Sequence, residues 1–214
     1  MKRRRFENIG QILKLMIDEI EGLHIIITGS SALDISLSTG EPLTGRKYTF
    51  QLHPIAQCEL TAYENAIETE SLLENRLIYG SYPEVLTIKD NQQKTEYLGE
   101  LINSYLLKDI LILDNIKNSA KLVNILRLLA FQIGKEVSVN ELAKNVGLNK
   151  LTVERYLDLL TKVFVIYRIE GYSRNLRKEI SKSPRYYFWD NGIRNALVAN
   201  FNTLALRNDV GELW

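Results

Sequence analysis

The chain has 214 residues, of which 45% are hydrophobic and 25% are charged. This is the composition of an average globular protein, and it excludes a disordered or fibrous chain. Because 27 basic and 26 acidic side chains leave a formal net charge of +1, overall charge does not predict binding to nucleic acid.

The chain has one cysteine, Cys58, which excludes an internal disulfide and a zinc site built from cysteines. No apolar run approaches the ~20 residues of a membrane-spanning helix. No apolar signal-peptide core follows the basic residues at positions 2–5. The sequence therefore predicts a cytoplasmic protein without a membrane segment.

The first predicted element is an amphipathic helix, because apolar residues recur with helical spacing from Ile9 to Ile20. The next is a buried strand over His24–Thr28, a short β-branched run that Gly29, Ser30 and Ser31 stop. Small hydroxyl residues at the carboxyl end of such a strand lie where open α/β sheets bind ligands.

A second strand is predicted over Lys47–His53, where polar and apolar residues alternate before Pro54. From Ala56 onward the pattern is mainly helical. Helices are predicted over residues 57–65, 71–77, 95–113 and 119–133, with a break at Gly80-Ser81-Tyr82-Pro83.

The clearest local motif is a helix-turn-helix. Ser138 and Glu141 have capping-box spacing, Gly147 lies in a turn, and Asn149 can cap a second helix. An alternating strand over 163–169, a basic loop over 171–183 and a pairing strand over 185–189 follow. This order predicts a winged helix.

Two kinds of site are absent from the sequence. Gly134-Lys135 is the only Gly-Lys pair, and Leu129 and Glu136 occupy the positions where a P-loop needs glycine and Ser or Thr. His24 and His53 have no carboxylate or thiol at metal-ligand spacing, so no metal site is predicted.

Two groups of cations remain as candidates for binding. Arg46 lies in a loop near the carboxyl end of the first predicted strand, where its guanidinium can clamp a phosphate; the alternative is a solvated or ion-paired arginine. In the winged helix, the predicted DNA-binding residues are Lys150, Arg155, Lys162, Arg174, Arg177, Lys178 and Lys182. Glu154 and Asp158 on the same helix oppose DNA, and winged helices also contact proteins, so both readings stay open.

Five strings occur in an order that resembles predicted AAA-type ATPases of bacteria and archaea with a carboxyl-terminal domain of unknown function. They are Ile26–Asp34, Pro42–Arg46, His53–Ala56 with Glu59, Gly80–Glu84 and Tyr187–Asn195. The resemblance covers nearly the whole chain. It implies that Thr28, Ser30 and Ser31 occupy the nucleotide-sensing position, where a polar side chain orients the attacking water or contacts the γ-phosphate, and that Arg46 contacts phosphate.

The resemblance also implies ATP and magnesium as cofactors of the intact family. This sequence begins after the family's Walker B strand and stops where family members continue. It is therefore expected to be an internal fragment with no catalytic residues of its own, no cofactor in this chain and no activity alone. The expected fold is an α/β remnant of a P-loop NTPase sheet with about two strands, then a mainly helical region and a winged helix, mostly α overall.

The expected domains are residues 1–66 as the last part of an ATPase core, 67–134 as a helical lid or connector, 135–190 as the winged helix and 191–214 as the start of a truncated segment. The rival hypothesis is a self-sufficient DNA-binding or regulatory protein built around the winged helix. A third possibility is that a separate upstream polypeptide supplies the P-loop and pairs with the first strand.

Overall fold

The computed structural model describes residues 9–29, 45–106, 119–172 and 183–214. The chain divides into two compact units, residues 1–52 and 53–214. Six predicted site residues lie outside the described part: Ser30 and Ser31, and the loop cations Arg174, Arg177, Lys178 and Lys182.

In the first unit, the predicted amphipathic helix is confirmed as α1 (Ile9–Glu19). Leu13 on the apolar stripe of this helix is buried, whereas Ile12 and Met16 on the same stripe are 47% and 39% exposed. The apolar stripe that defines the helix in the sequence is therefore only partly covered.

The two strands predicted in the first unit are not found. Residues 24–28 and 47–53 belong to no sheet in the described part of the chain. The side chains of Ile26, Tyr48 and Leu52 are at least 90% exposed. A strand exists only by pairing its backbone with a neighbour, and no described segment pairs with either one. The prediction of two strands is therefore wrong for these segments, because an apolar pattern alone does not supply the pairing that a strand requires.

The second unit is mainly helical. Its first helices are α2 (Gln57–Leu60), α3 (Ala66–Tyr79), α4 (Pro83–Thr87) and α5 (Asn91–Glu100), and a π-helix (Leu101–Leu106) follows α5. Helix α3 begins earlier than predicted because Asn65 caps it, accepting hydrogen bonds from the amides of Ile67 and Glu68. It ends at Gly80, whose φ of 80° ordinary residues adopt only with strain.

Helix α6 (Ser119–Phe131) is the centre of the core. Leu122, Ile125, Leu126 and Leu129 on this helix are each at most 1% exposed. These side chains follow helical spacing, so one face of α6 is buried along its full length.

The predicted helix-turn-helix is present as α7 (Val139–Val146) and α8 (Lys150–Lys162). The Ser138 hydroxyl accepts a hydrogen bond from the Glu141 amide, and the Asn149 side chain accepts one from the Thr152 amide at 2.7 Å. Gly147 adopts a left-handed conformation with φ of 62° at the turn. Both caps and the turn glycine are therefore as predicted.

A two-stranded antiparallel sheet follows, formed by β1 (Ile166–Ile169) and β2 (Arg185–Phe188), with Ile166 opposite Phe188. On the outer side of β2, an isolated bridge pairs Glu136 with Arg185, and the Val137 amide donates to the Pro184 carbonyl at 2.9 Å. The chain then forms α9 (Asn191–Leu197) and two short 3-10 helices, Leu204–Leu206 and Val210–Glu212. The fold is thus mostly helical, as expected.

Candidate functional site

The described candidates for nucleotide sensing, Thr28 and Arg46, lie in the first unit. Thr28 is exposed in an irregular segment. Arg46 Nε donates to Asp18 Oδ1 at 2.8 Å, and both side chains are 41% exposed. That hydrogen bond and the charge of Asp18 raise the pKa of Arg46 above its ordinary value. In this structure Arg46 is therefore an ion-paired arginine, and a phosphate would have to compete with Asp18.

The described candidates for DNA binding lie on α8. Lys150 Nζ is 3.5 Å from Glu154 Oε1, and Lys162 Nζ is 2.6 Å from Asp158 Oδ2. Arg155 lies with its guanidinium 5.8 Å from the ring centroid of Tyr156. Because a carboxylate one turn away pairs with each lysine, the exposed face of α8 has alternating charge.

A groove of about 620 Å³ lies beside α8, between this helix, residues 137–140 and the two-stranded sheet. Its charged lining includes the cations Lys150 and Arg168 and the carboxylates Glu154 and Asp158. Nucleic acid binding depends on cations that displace the counterions of several phosphates. This mixed lining gives the groove no preference for an anion.

A buried carboxylate, Asp190, joins two distant parts of the second unit. Its Oδ2 accepts a hydrogen bond from the Ser81 amide at 2.7 Å, and its Oδ1 accepts one from the Ile193 amide at 3.2 Å. Burial raises the pKa of Asp190 to about 6, although the amides of Ser81, Ile193 and Gly192 partly offset this effect. Asp190 thus caps α9 and fixes the end of α3 against it.

Two glycines make this arrangement possible. A Cβ atom on Gly80 would lie 2.0 Å from Asp190 Oδ1, and one on Gly192 would lie 2.0 Å from the Tyr79 carbonyl oxygen. Both distances are far below a van der Waals contact. The strings Gly80-Ser81 and Asp190-Asn191-Gly192 are therefore two halves of one packed corner.

A second buried polar cluster follows on α9. The Asn195 side chain donates to the carbonyls of Leu77 and Ile78, and its oxygen accepts from Arg194 and Arg207. Asp209 pairs with both arginines. Burial alone would raise the pKa of Asp209, but hydrogen bonds and charge from Arg207 and Arg194 lower it to about 2. This cluster ties the last residues of the chain to α9 and α3.

Neither buried cluster is predicted from the sequence. The Tyr187–Asn195 string is one of those that carry the family resemblance, and 109 residues separate Ser81 from Asp190. The available signal was local: an acidic residue between the aromatic run Tyr186–Trp189 and Asn-Gly is typical of a helix cap. The spacing of residues along the chain does not predict that the capping carboxylate also accepts a hydrogen bond from Ser81.

Among the described residues, no group of histidine, cysteine or acidic side chains is arranged to hold a metal ion. Within the same part of the chain, no helix has both the length and the apolar character needed to cross a bilayer.

Comparison with known families decides the relationship. The model of a domain of unknown function, DUF8612, matches residues 70–204, well over half of the chain. The chain belongs to the DUF8612 family. A second model, described as an AAA domain, matches residues 4–61, which supports the AAA-type resemblance.

The curated relatives are uncharacterized proteins. One from Haemophilus influenzae is 26% identical over 81% of this chain and 46% of its own length. One from Mycobacterium tuberculosis is 23% identical over 99% of this chain and 47% of its own length, and one from Methanocaldococcus jannaschii is 25% identical over 77% and 41%. The chain thus spans less than half the length of these relatives. No solved structure matches it.

The candidate residues divide between the two matched regions. Asp190, its two glycines and Asn195 lie within the DUF8612 match. Thr28 and Arg46 lie within the AAA match. Residues 53–61 combine both, because they match the AAA model but belong to the second compact unit. We call residues 53–61 the seam segment.

Proposed function

We propose that this chain is part of an AAA-type ATPase. In this proposal residues 4–61 form the last part of the nucleotide-binding sheet, and polypeptide outside these 214 residues supplies the P-loop and the Walker B strand. ATP and magnesium belong to that complete assembly.

The observation that carries the proposal is the exposed apolar surface within the AAA-matched segment. Ile26 is 91% exposed, and Tyr48, Phe50 and Leu52, which alternate along an extended segment, are 84% to 94% exposed. Central strands of α/β sheets are apolar and are paired on both edges. Apolar segments that pair with no other described segment are what part of such a sheet would present by itself.

The same proposal gives roles to the candidate residues. Thr28, Ser30 and Ser31 are the nucleotide-sensing group at the end of the central strand, and Arg46 exchanges Asp18 for a phosphate when nucleotide is present. Backbone amides of a P-loop supply most phosphate binding in such proteins. Without that loop, these four residues are expected to hold nucleotide only weakly.

We further propose that residues 135–190 form a winged helix within the DUF8612 domain, with α7 and α8 as its helix-turn-helix and β1 and β2 as its wing. The contacts of residues 136–137 beside β2 support this, since an isolated bridge and one backbone hydrogen bond join this segment to the hairpin. The charge pairs on α8 support a winged helix that does not grip DNA through that helix.

The first experiment is calorimetric titration of the purified chain with Mg-ATP. We expect no detectable heat from a chain that circular dichroism shows to be folded. A dissociation constant below about 10 µM, near −7 kcal/mol, would overturn the proposal, since it requires a phosphate site within the chain itself.

The exposed apolar surface is tested by binding of a hydrophobic dye. Replacing Phe50 and Leu52 by Thr should reduce dye fluorescence and leave the unfolding midpoint of the second unit unchanged. The matched control is Phe131→Thr, which removes one apolar side chain, 68% exposed, from the second unit. If the control reduces fluorescence as much as the double variant, the surface that binds the dye is not in the AAA-matched segment.

Limited proteolysis gives an independent check. We expect cleavage within residues 1–66 before any within residues 90–214, because the buried core lies in the later part of the chain. Equal resistance of both parts would count against the proposal.

The DNA hypothesis is tested in parallel by titrating a duplex oligonucleotide at low and moderate salt. We expect weak binding that Lys150→Ala with Arg155→Ala does not change. Tight binding that falls steeply with salt and weakens in this variant would instead favour the DNA-binding reading.

A further inference from the structure

The seam segment matches the AAA model in sequence, yet two of its side chains and one of its backbone amides contact the DUF8612 region. The Ile55 amide donates to the Ser81 carbonyl at 3.0 Å. Gln57 Oε1 accepts a hydrogen bond from Arg76 Nη1 at 3.1 Å. The His53 ring stacks on Trp189, with centroids 4.0 Å apart and planes at 23°.

These three contacts reach three different elements. Arg76 is on α3, Ser81 is in the connection after α3, and Trp189 lies between β2 and α9. Contacts spread over separate elements hold a segment better than contacts to one, because release requires all of them to break together. Ser81 and Trp189 also adjoin Asp190, whose carboxylate accepts from the Ser81 amide. The Ile55–Ser81–Asp190 series is therefore a continuous line of hydrogen bonds from the seam into the buried corner.

The anchored residues are themselves well defined. Arg76 is buried and pairs with Glu64, and these contacts hold its guanidinium in the position from which it donates to Gln57. Glu59 Oε2 accepts from the Ala56 amide at 2.7 Å, which closes the first turn of α2 immediately after the anchor.

We propose that residues 53–57 are a coupling strap: they are fastened to the DUF8612 domain independently of the chain that precedes them, so that a displacement of the AAA-matched segment is delivered to the Ser81–Asp190 corner. The proposed regulatory meaning rests on the proposed function, because it takes the preceding segment to be part of a nucleotide-binding sheet. The fastening itself does not.

The test is amide hydrogen exchange of the full chain followed by NMR. The Ile55 amide is expected to exchange about tenfold more slowly than the amides of residues 48–51, which is the effect of one net backbone hydrogen bond. Inserting Gly-Ser-Gly between Leu52 and His53 separates the strap from the preceding segment. If the strap is self-anchored, this insertion leaves the Ile55 rate unchanged.

Release of the strap is the second arm. His53→Ala with Gln57→Ala should raise the Ile55 rate about tenfold and shift the Trp189 emission to the red, measured in a Trp214→Phe background. Tyr63→Ala is the matched control, since Tyr63 is 89% exposed and is expected to change neither reading. Amides of α9 report whether the domain stays folded.

The proposal is overturned if the insertion frees Ile55 as much as the double substitution does, or if Ile55 already exchanges as fast as residues 48–51. These results are separate from those for nucleotide. Tight Mg-ATP binding by the chain would overturn the proposed function and leave the anchoring result intact, whereas a freely exchanging Ile55 would overturn the strap alone.

Discussion

The two units place similar side chains in opposite environments. In the first unit, Ile26 and Phe50 are 91% and 84% exposed, whereas in the second unit Leu98 and Leu160 are fully buried. Burial of apolar surface is the dominant favourable contribution to folding, at about 25 cal/mol per Å². Apolar content alone therefore does not make a core: the second unit covers Leu98 and Leu160 with its own helices, whereas the described part of the first unit leaves Ile26 and Phe50 exposed.

The largest expected difference comes from truncating one apolar side chain in each unit. Leu129→Ala should lower the free energy of unfolding by about 3 kcal/mol, because it opens a cavity in the core of α6. Ile26→Ala should change it by less than about 0.5 kcal/mol, because the removed atoms face solvent. Chemical denaturation followed by circular dichroism measures both. Comparable losses would show that Ile26 is buried in solution and that the two units do not differ in this respect.

The pH dependence of stability should arise in the second unit, first from Asp190. Its pKa is about 6 in the folded chain and has an ordinary value of 3.8, so the folded state holds an extra proton between these values. The free energy of unfolding should therefore fall by about 3 kcal/mol as pH rises from about 4 to about 6. Asp190→Asn should remove this slope. A wild-type profile that is flat in this window would show that Asp190 is not buried as described.

Asp209 should act in the opposite direction and over a lower range. Its pKa is lowered from 3.8 to about 2, so its contribution is complete above about pH 4 and is lost as pH falls towards 2. The expected loss is about 2 kcal/mol. Asp209→Asn should remove the slope below pH 4 and keep the slope above it, which distinguishes the two carboxylates in one set of denaturation curves.

Local sequence signals predicted the two helices and the turn of the helix-turn-helix because the residues that define them lie close together in the chain. Ser138, Gly147 and Asn149 each perform the predicted role, since capping and left-handed turns depend on neighbours within four residues. The hairpin was also predicted, and its two strands, β1 and β2, pair with each other. The two strands predicted in the first unit are not found, because their apolar pattern indicated pairing and no described segment pairs with them.

The contacts of the candidate site residues were likewise not predictable from local sequence. Arg46 was identified as a cation in a loop, with an ion pair as one of two readings, but its partner Asp18 is 28 residues away. The contacts of Asp190 could not be predicted from the sequence. They depend on the absence of a Cβ atom at Gly80 and Gly192, and the sequence does not indicate which residues pack against a glycine. Contacts that join distant segments are set by packing, which periodicity does not encode.

The smallest expected effect comes from removing one exposed ion pair in each unit. Arg46–Asp18 in the first unit and Lys162–Asp158 in the second are both exposed ion pairs. Lys162→Ala should cost at most about 0.5 kcal/mol, and Arg46→Ala should leave the thermal unfolding midpoint unchanged, because water screens such pairs and side-chain ordering opposes them. Equal, small effects would mean that exposed charge pairs do not distinguish the units, which leaves apolar burial as the cause of the difference. A marked fall for Arg46→Ala alone would instead show that the Asp18 pair holds the first unit together.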